Sequence, residues 1–206
     1  MNPVYKYFSG LTTEQINKIN LLKDIYSQWN ERINVISRKD MDSFYEHHVL
    51  HSLSIAKFIT FKSGSKIIDV GTGGGFPGIP LAILFPQISF TLLDSIGKKI
   101  KVVSAVAEAL QLKNVKTINS RSEQHKEQYD FIVSRAVTSL PLFVKQTRHL
   151  ISLKQQNAIG NGILYLKGGD LTQEIKPFKK EIFITNLNDF FEEEFFTTKK
   201  LLHLSL

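Results

Sequence analysis

The stretch from Ile67 to Gly78, Ile-Ile-Asp-Val-Gly-Thr-Gly-Gly-Gly-Phe-Pro-Gly, limits what this chain can fold into more than any other. An apolar run suited to a buried strand passes directly into five glycines within eight positions (71, 73, 74, 75 and 78) and then towards a helix. Glycine loses more conformational freedom on folding than any other residue, so five of them are a poor choice for a plain connector. They suit a turn that needs positive φ and comes close to a ligand. Strand, ligand-cradling turn and helix together are the opening unit of a doubly wound α/β sheet.

Two nucleotide-binding arrangements share that outline. Gly73, Gly75 and Gly78 fit the Gly-x-Gly-x-x-Gly dinucleotide fingerprint, which is weak by itself. The other register ends the strand at Asp69-Val70-Gly71 and makes Gly71, Gly73 and Gly75 the cofactor-cradling positions, an acid-x-Gly-x-Gly-x-Gly pattern that resembles motif I of class I methyltransferases. Pro77 and Pro80 favour this second register, because each removes an N–H that a pyrophosphate would want at the helix start. No glycine is followed at the required spacing by Gly-Lys-Ser/Thr, so a P-loop is excluded. Asp94 closes the next apolar run, nineteen residues beyond Gly75. There a carboxylate can accept hydrogen bonds from both ribose hydroxyls; its competing task is to cap the following helix. Ligands in such sheets lie at the carboxyl ends of strands, which sets Ser122, Glu123 and Arg135 against the cofactor and gives Arg135 and Lys167 a positioning role at the cleft.

Short apolar runs predict seven strands, at 66–70, 89–93, 115–118, 129–133, 162–166, 181–186 and 200–205. Helical segments at 78–85, 97–111, 139–151 and 170–178 make the links among the first five strands crossovers, which enforces parallel pairing. The last two strands lack an intervening helix and are expected to form an antiparallel hairpin, with the Phe-rich link 190–196 packed beneath the sheet. Upstream, Thr12 and Gln15 form a capping box for a helix whose apolar stripe runs through Ile16, Ile19, Leu22, Ile25, Tyr26 and Trp29. A second helical pattern runs from Val49 to Ile59. Residues 1–61 therefore read as a helical N-terminal segment, and 62–206 as an α/β domain with helices on both faces of one sheet.

The chain has no cysteine, which excludes disulfides, thiolate metal sites and cysteine nucleophiles, and with them the usual route to methylated pyrimidine carbons. His47, His48 and His51 have no acid in ligand spacing, so no metal is expected. A net charge of +7 favours a polyanionic partner, and residues 94–126 alone carry +4. Lys98, Lys99 and Arg121 in that segment are candidate RNA contacts, as are Asn34 and Ser37, with Asn30, in the turn-like stretch 30–37. Lys167 is placed to hold a target phosphate. No run approaches the length of a membrane span, and the N-terminus lacks a basic head followed by an apolar core. A cytoplasmic monomer without a membrane partner is expected.

The acceptor is constrained by elimination. Exocyclic amines are commonly served by an Asn/Asp-Pro-Pro-aromatic motif after the fourth strand, and here that position reads Ser134-Arg135-Ala136. Guanine N7 has an in-plane lone pair and needs no base, which suits such a site. A small-molecule or protein acceptor, or a non-catalytic nucleotide- or RNA-binding role, stays open from these residues alone.

In these features the chain resembles the glucose-inhibited division protein B family, also called RsmG, the 16S ribosomal RNA guanine-N7 methyltransferases. The likeness covers nearly the whole chain. It rests on Trp29-Asn30 with Ile33-Asn34 and Ser37, His48-Val-Leu-x-Ser52, Asp69-Val-Gly-Thr-Gly-x-Gly-Phe-Pro-Gly-Ile-Pro80, Leu93-Asp-Ser95 with Lys98-Lys99, Ser134-Arg-Ala136 and Leu166-Lys-Gly168. The resemblance implies a seven-stranded class I (Rossmann-like) sheet and S-adenosylmethionine as cofactor, touched by Gly71, Phe76, Ser122, Glu123 and Arg135 with Asp94 near its ribose. It implies the guanine conventionally numbered 527 as acceptor and 16S rRNA or the small ribosomal subunit as partner. His51 departs from the family, where many members carry an acid.

Overall fold

The computed structural model describes residues 2–206. Seven strands, β1 Lys66–Val70, β2 Ser89–Asp94, β3 Val115–Asn119, β4 Phe131–Arg135, β5 Gly162–Gly168, β6 Ile182–Asn186 and β7 Lys199–Ser205, form one sheet in the order β3-β2-β1-β4-β5-β7-β6. The first five pair in parallel, and β7 runs antiparallel between β5 and β6. The strand order reverses between β1 and β4, and a sheet of this kind opens a ligand crevice at such a switch point. The glycine turn leaves β1 there.

Both faces of the sheet are covered, which is why its central strands read as continuous apolar runs rather than alternating ones. Ile67, Phe90, Phe131 and Leu164 belong to one core, and Ile68, Leu93, Ile132 and Ile163 to the other. The first core is closed by α1 Val4–Tyr7, α2 Thr13–Asn30, α3 His51–Leu53, α4 Ile55–Phe58, α5 Gly78–Leu84 and α6 Gly97–Ala109. The second lies beneath α7 Leu140–Thr147 and, through Leu171 and Ile175, α8 Thr172–Ile175. The N-terminal helices share the sheet's core, since Val4, Ile19, Leu22, Tyr26 and Leu53 are buried in the cluster that contains Ile67 and Phe90. The expected capping box starts α2, and Gln15 Nε2 also donates to the carbonyls of Ile83 and Leu84, fastening α2 to the end of α5.

Three elements depart from the sequence expectation. The second helical pattern opens as a π-helix over Tyr45–Leu50 before continuing as α3 and α4. Ser52 and Ser54 hydroxyls donate to the carbonyls of His48 and His51, a local competition with the helical ladder that periodicity does not register. β4 is shifted two residues later than expected: Tyr129 makes only an isolated bridge to Ile151, whereas Ser134 Oγ donates to the Val70 carbonyl and Arg135 still pairs with Leu166. β5 likewise extends to Gly168. Arg135 and Lys167 thus sit within the last rungs of their strands, held by backbone pairing, rather than in the loops beyond. The antiparallel β6–β7 hairpin forms as expected, and its link buries Phe191 and Phe196 in the first core while Glu192 and Glu194 face water.

Candidate active site

The turn after β1 is braced from below by Asp69. Its Oδ2 accepts the Thr72 hydroxyl at 2.6 Å and the Gly78 N–H at 2.8 Å, joining both ends of the turn. Burial pushes the Asp69 carboxyl up to about 7 against those two hydrogen bonds. At Gly75, φ is +97° and a Cβ would stand 2.7 Å from Ile79 Cγ1 and 2.9 Å from Tyr26 Oη, so only glycine fits. Tyr26 donates to the Gly74 carbonyl and ties the turn to α2.

Asp94, at the end of β2, accepts the Gly73 N–H on Oδ2 at 3.0 Å and the Ile96 N–H on Oδ1 at 2.8 Å. Those bonds orient a buried carboxylate and leave each oxygen a second lone pair for ribose hydroxyls. The alternative expected for Asp94, capping the helix that follows, is not what forms: the N-cap is Ile96, without a side-chain cap bond, and Asp94 holds only the turn before it. A cavity of about 450 Å³ opens in front of it, lined by Gly71, Asp94, Ser122, Glu123, Arg135 and Ala136, with Lys99 and Arg121 also on its wall. That volume falls within the range of about 300–1,000 Å³ usual for cofactor pockets. Gly73, Gly75 and Phe76 stand one layer behind the lining: Gly73 faces Asp94, Gly75 meets Ile79 and Tyr26, and Phe76 is buried against Tyr26 and His48.

Arg135 closes the far side. Its Nη1 donates to the His47 carbonyl at 2.9 Å and its Nη2 to His48 Nδ1 at 2.8 Å, while its guanidinium lies 5.3 Å from the Phe76 ring centroid. Because His48 Nδ1 accepts, its proton sits on Nε2, which has no partner. Burial, then the neighbouring guanidinium, lowers the His48 pKa to about 3, so the ring is neutral. No carboxylate among the described residues forms an ion pair with Arg135. Burial alone brings its own pKa down to about 10. Asp69 and Asp40 oppose that shift without pairing with the guanidinium, and a desolvated cation without an ion-pair partner favours an anionic ligand.

Beyond Arg135 a second cleft of about 210 Å³ opens, lined among others by Asp40, His48, Leu166, Lys167 and Phe195. Arg135 and Ala136 line both spaces, so the two meet at the end of β4. Ala136 has φ +49°, a strained conformation for a residue with a side chain, and such strain gathers at functional sites. The segment after it is pinned: Val137 and Thr138 N–H groups donate to the Tyr165 hydroxyl, and Lys167 Nζ donates to the Thr138 carbonyl at 2.9 Å and to Glu174 Oε2.

Among the expected RNA contacts, Lys98 is exposed at the start of α6, and Lys99 and Arg121 stand on the wall of the cofactor-sized cavity. Lys167 lines the second cleft but is already paired with Glu174. Asn34 and Ser37 are exposed, and the Ser37 hydroxyl donates to Asp40 on that cleft's wall. Asn30 is not a surface contact: its side chain bonds Val35, Ile36 and the Ile36 carbonyl and holds the 30–37 turn together. Sequence reasoning missed Asp40, Tyr26, Tyr165 and Glu174. None sits in a motif or at a strand end, and only the fold brings them to the site.

A sheet in this order, with a glycine turn at its switch point and an acid at the end of β2, defines a class I S-adenosylmethionine-dependent methyltransferase fold. Among solved structures, an S-adenosylmethionine-dependent methyltransferase from Aquifex aeolicus superposes with a TM-score of 0.57 at 13% identity, covering 83% of this chain and 100% of that one. The rRNA small subunit methyltransferase G family, GidB, matches residues 15–202, and the chain belongs to it. Proteins named ribosomal RNA small subunit methyltransferase G are 53% identical over 206 residues in Bacteroides fragilis, covering 100% of both chains, and 55% identical over 203 residues in Bacteroides thetaiotaomicron, covering 98% of each.

Proposed function

We propose that this protein transfers the methyl group of S-adenosylmethionine to N7 of a guanine in 16S ribosomal RNA, the base conventionally numbered 527, presented by the rRNA or the small subunit. The observation that carries the proposal is the meeting of a cofactor-sized cavity and a second cleft at Arg135 and Ala136. The cofactor supplies a methyl group activated by a positively charged sulfur. Gly71, Asp94, Ser122 and Glu123 line the first space and are assigned to hold its nucleoside, Asp94 through the ribose hydroxyls. Arg135, a cation without an ion-pair partner, is assigned to its carboxylate.

The acceptor enters the second cleft, where Lys167 and the neutral His48 form part of the wall. Guanine N7 carries a free lone pair, so no side chain has to remove a proton. The protein's contribution is alignment of N7 with the methyl carbon, plus exclusion of water by the pinned 136–140 segment. Lys98, Lys99, Arg121, Asn34 and Ser37 are assigned to the RNA around the target. The protein acts as a monomer in the cytoplasm on this reading.

Incubation with methyl-labelled S-adenosylmethionine and small subunits lacking the modification, followed by digestion to nucleosides, tests the proposal. Label in 7-methylguanosine is expected. Label in another nucleoside or in protein, or none despite measured cofactor binding, would refute it.

A further inference from the structure

The second cleft poses a problem of charge, and the inference drawn from it rests on the guanine-N7 reading above. In that reaction the N7 lone pair forms the new N–C bond, the electron pair of the broken C–S bond stays on sulfur, and no proton moves. One positive charge passes to the purine. The cleft that would receive it is lined by the cationic side chains of Arg135, Lys167 and Lys199. Glu174, which is not on the lining, answers Lys167, and the cofactor's carboxylate is assigned to Arg135, but Lys199 has no ion-pair partner among the described residues. A cation forming beside these side chains is disfavoured unless a carboxylate also faces it. Asp40 is the one carboxylate among the described residues that lines this cleft.

Asp40 is built into place. The Ser37 hydroxyl donates to its Oδ2 at 2.6 Å, and His47 Nδ1 lies 3.1 Å from its Oδ1. The His47 ring is in turn stacked on Phe195, with centroids 4.1 Å apart and planes 16° from parallel. The bonds from Ser37 and His47 hold the Asp40 carboxyl below its usual range, so it is ionised. Its side chain is 41% exposed, and each oxygen keeps a lone pair beyond the bond described. Position matters as well. Arg135 and Ala136 line both spaces, whereas Asp40 lines only the second. On a purine, N7 and the N1/N2 edge lie on opposite sides of the ring system. A guanine with N7 turned to the Arg135–Ala136 junction therefore directs N1–H and its amino group away from the cofactor cavity, into the part of the second cleft whose one lining carboxylate among the described residues is Asp40.

We propose that Asp40 accepts hydrogen bonds from N1–H and the exocyclic amino group of the acceptor guanine, selecting guanine and offsetting the charge that grows on the ring as N7 is methylated. Adenine presents an acceptor at N1 and would leave the carboxylate opposed and unpaired, the arrangement by which a polar site rejects a wrong base most strongly.

The test compares single-turnover methylation of small-subunit RNA carrying guanosine or inosine at the acceptor position, by wild type and by Asp40→Asn, with cofactor affinity measured in parallel. Inosine keeps N7 and N1–H but lacks the amino group. Wild type is expected to favour guanosine about 10-fold or more, the loss of a charge-assisted hydrogen bond. Asp40→Asn is expected to slow transfer to guanosine about 10- to 100-fold at unchanged cofactor affinity and to erase the preference. A variant that is slower but keeps the wild-type preference would mean that Asp40 merely braces Ser37 and His47, and the proposal fails. If Asp40→Asn does not fold, wild type alone decides, since equal rates on the two bases overturn the proposal. Absence of any 7-methylguanosine from wild type would instead refute the parent reading.

Discussion

Asp69 and Arg135 show how single buried charges are managed in this site. Asp69 gives up hydration to brace the glycine turn, and burial raises its carboxyl to about 7 in the folded state from an ordinary 3.8. A raised carboxyl binds its proton more tightly in the folded than in the unfolded chain. Its favourable contribution is therefore complete below pH 3.8 and is lost as pH rises through about 7. Asp69→Asn keeps an acceptor for Thr72 and Gly78 without the titration. In denaturant unfolding of the cofactor-free protein, the variant is expected to gain on wild type across that interval, by about 1–4 kcal/mol in all, and to run parallel above it. Parallel curves throughout would show that the carboxyl is not perturbed. That Asp94, Ser122, Glu123 and Arg135 would line one cavity was legible in the sequence, because it depends only on where the apolar runs end. Asp40 and Glu174 were not, because their meaning depends on partners, His47 and Lys167, whose own roles come from the three-dimensional site.

The glycine turn makes a sharper prediction than its motif does. Gly73 has φ +58° but its nearest neighbour beyond the chain is the Gly71 carbonyl, 3.9 Å from where a Cβ would be; Gly75 has φ +97° and meets Ile79 and Tyr26 under 3.0 Å. Gly73→Ala is expected to cost about 1–2 kcal/mol, the left-handed penalty alone, and Gly75→Ala several kcal/mol more or failure to fold, measured by denaturation midpoints. Equal losses would contradict the packing described. Lys167 decides between two element-level roles. The Lys167–Glu174 pair, with Glu174 also accepting the Leu140 N–H, clamps β5 to the start of α7. If Lys167 also holds a phosphate, Lys167→Ala should reduce the log–log salt slope of RNA binding by about 0.7–0.9; an unchanged slope with lowered stability assigns it to the clamp alone. The parallel strands and crossovers could be read from length and periodicity, whereas the π-helix at 45–50 and the two-residue shift of β4 could not. Side-chain hydroxyls at Ser52, Ser54 and Ser134 bond to backbone beside these departures, contacts that periodicity does not encode.

The molecule as a whole joins one sheet, a layer of N-terminal helices fused to its first core, and a surplus of seven positive charges. α2 reaches the glycine turn through Tyr26, and the segment before α3 supplies Asp40, His47 and His48 to the second cleft. The N-terminal segment thus shares the sheet's core and lines the second cleft, a point that the composition of residues 1–61 did not reveal. The central claim is that cofactor and acceptor spaces meet at Arg135. Single-turnover transfer to unmodified small subunits, at saturating labelled cofactor and with the nucleoside product identified, tests it most directly in wild type and Arg135→Ala. 7-Methylguanosine is expected from wild type, with a rate lowered about 100-fold or more in the variant, because the group assigned to hold the cofactor's carboxylate at the junction, and so to align its methyl group with N7, is removed. A variant that forms 7-methylguanosine at the wild-type rate would contradict it.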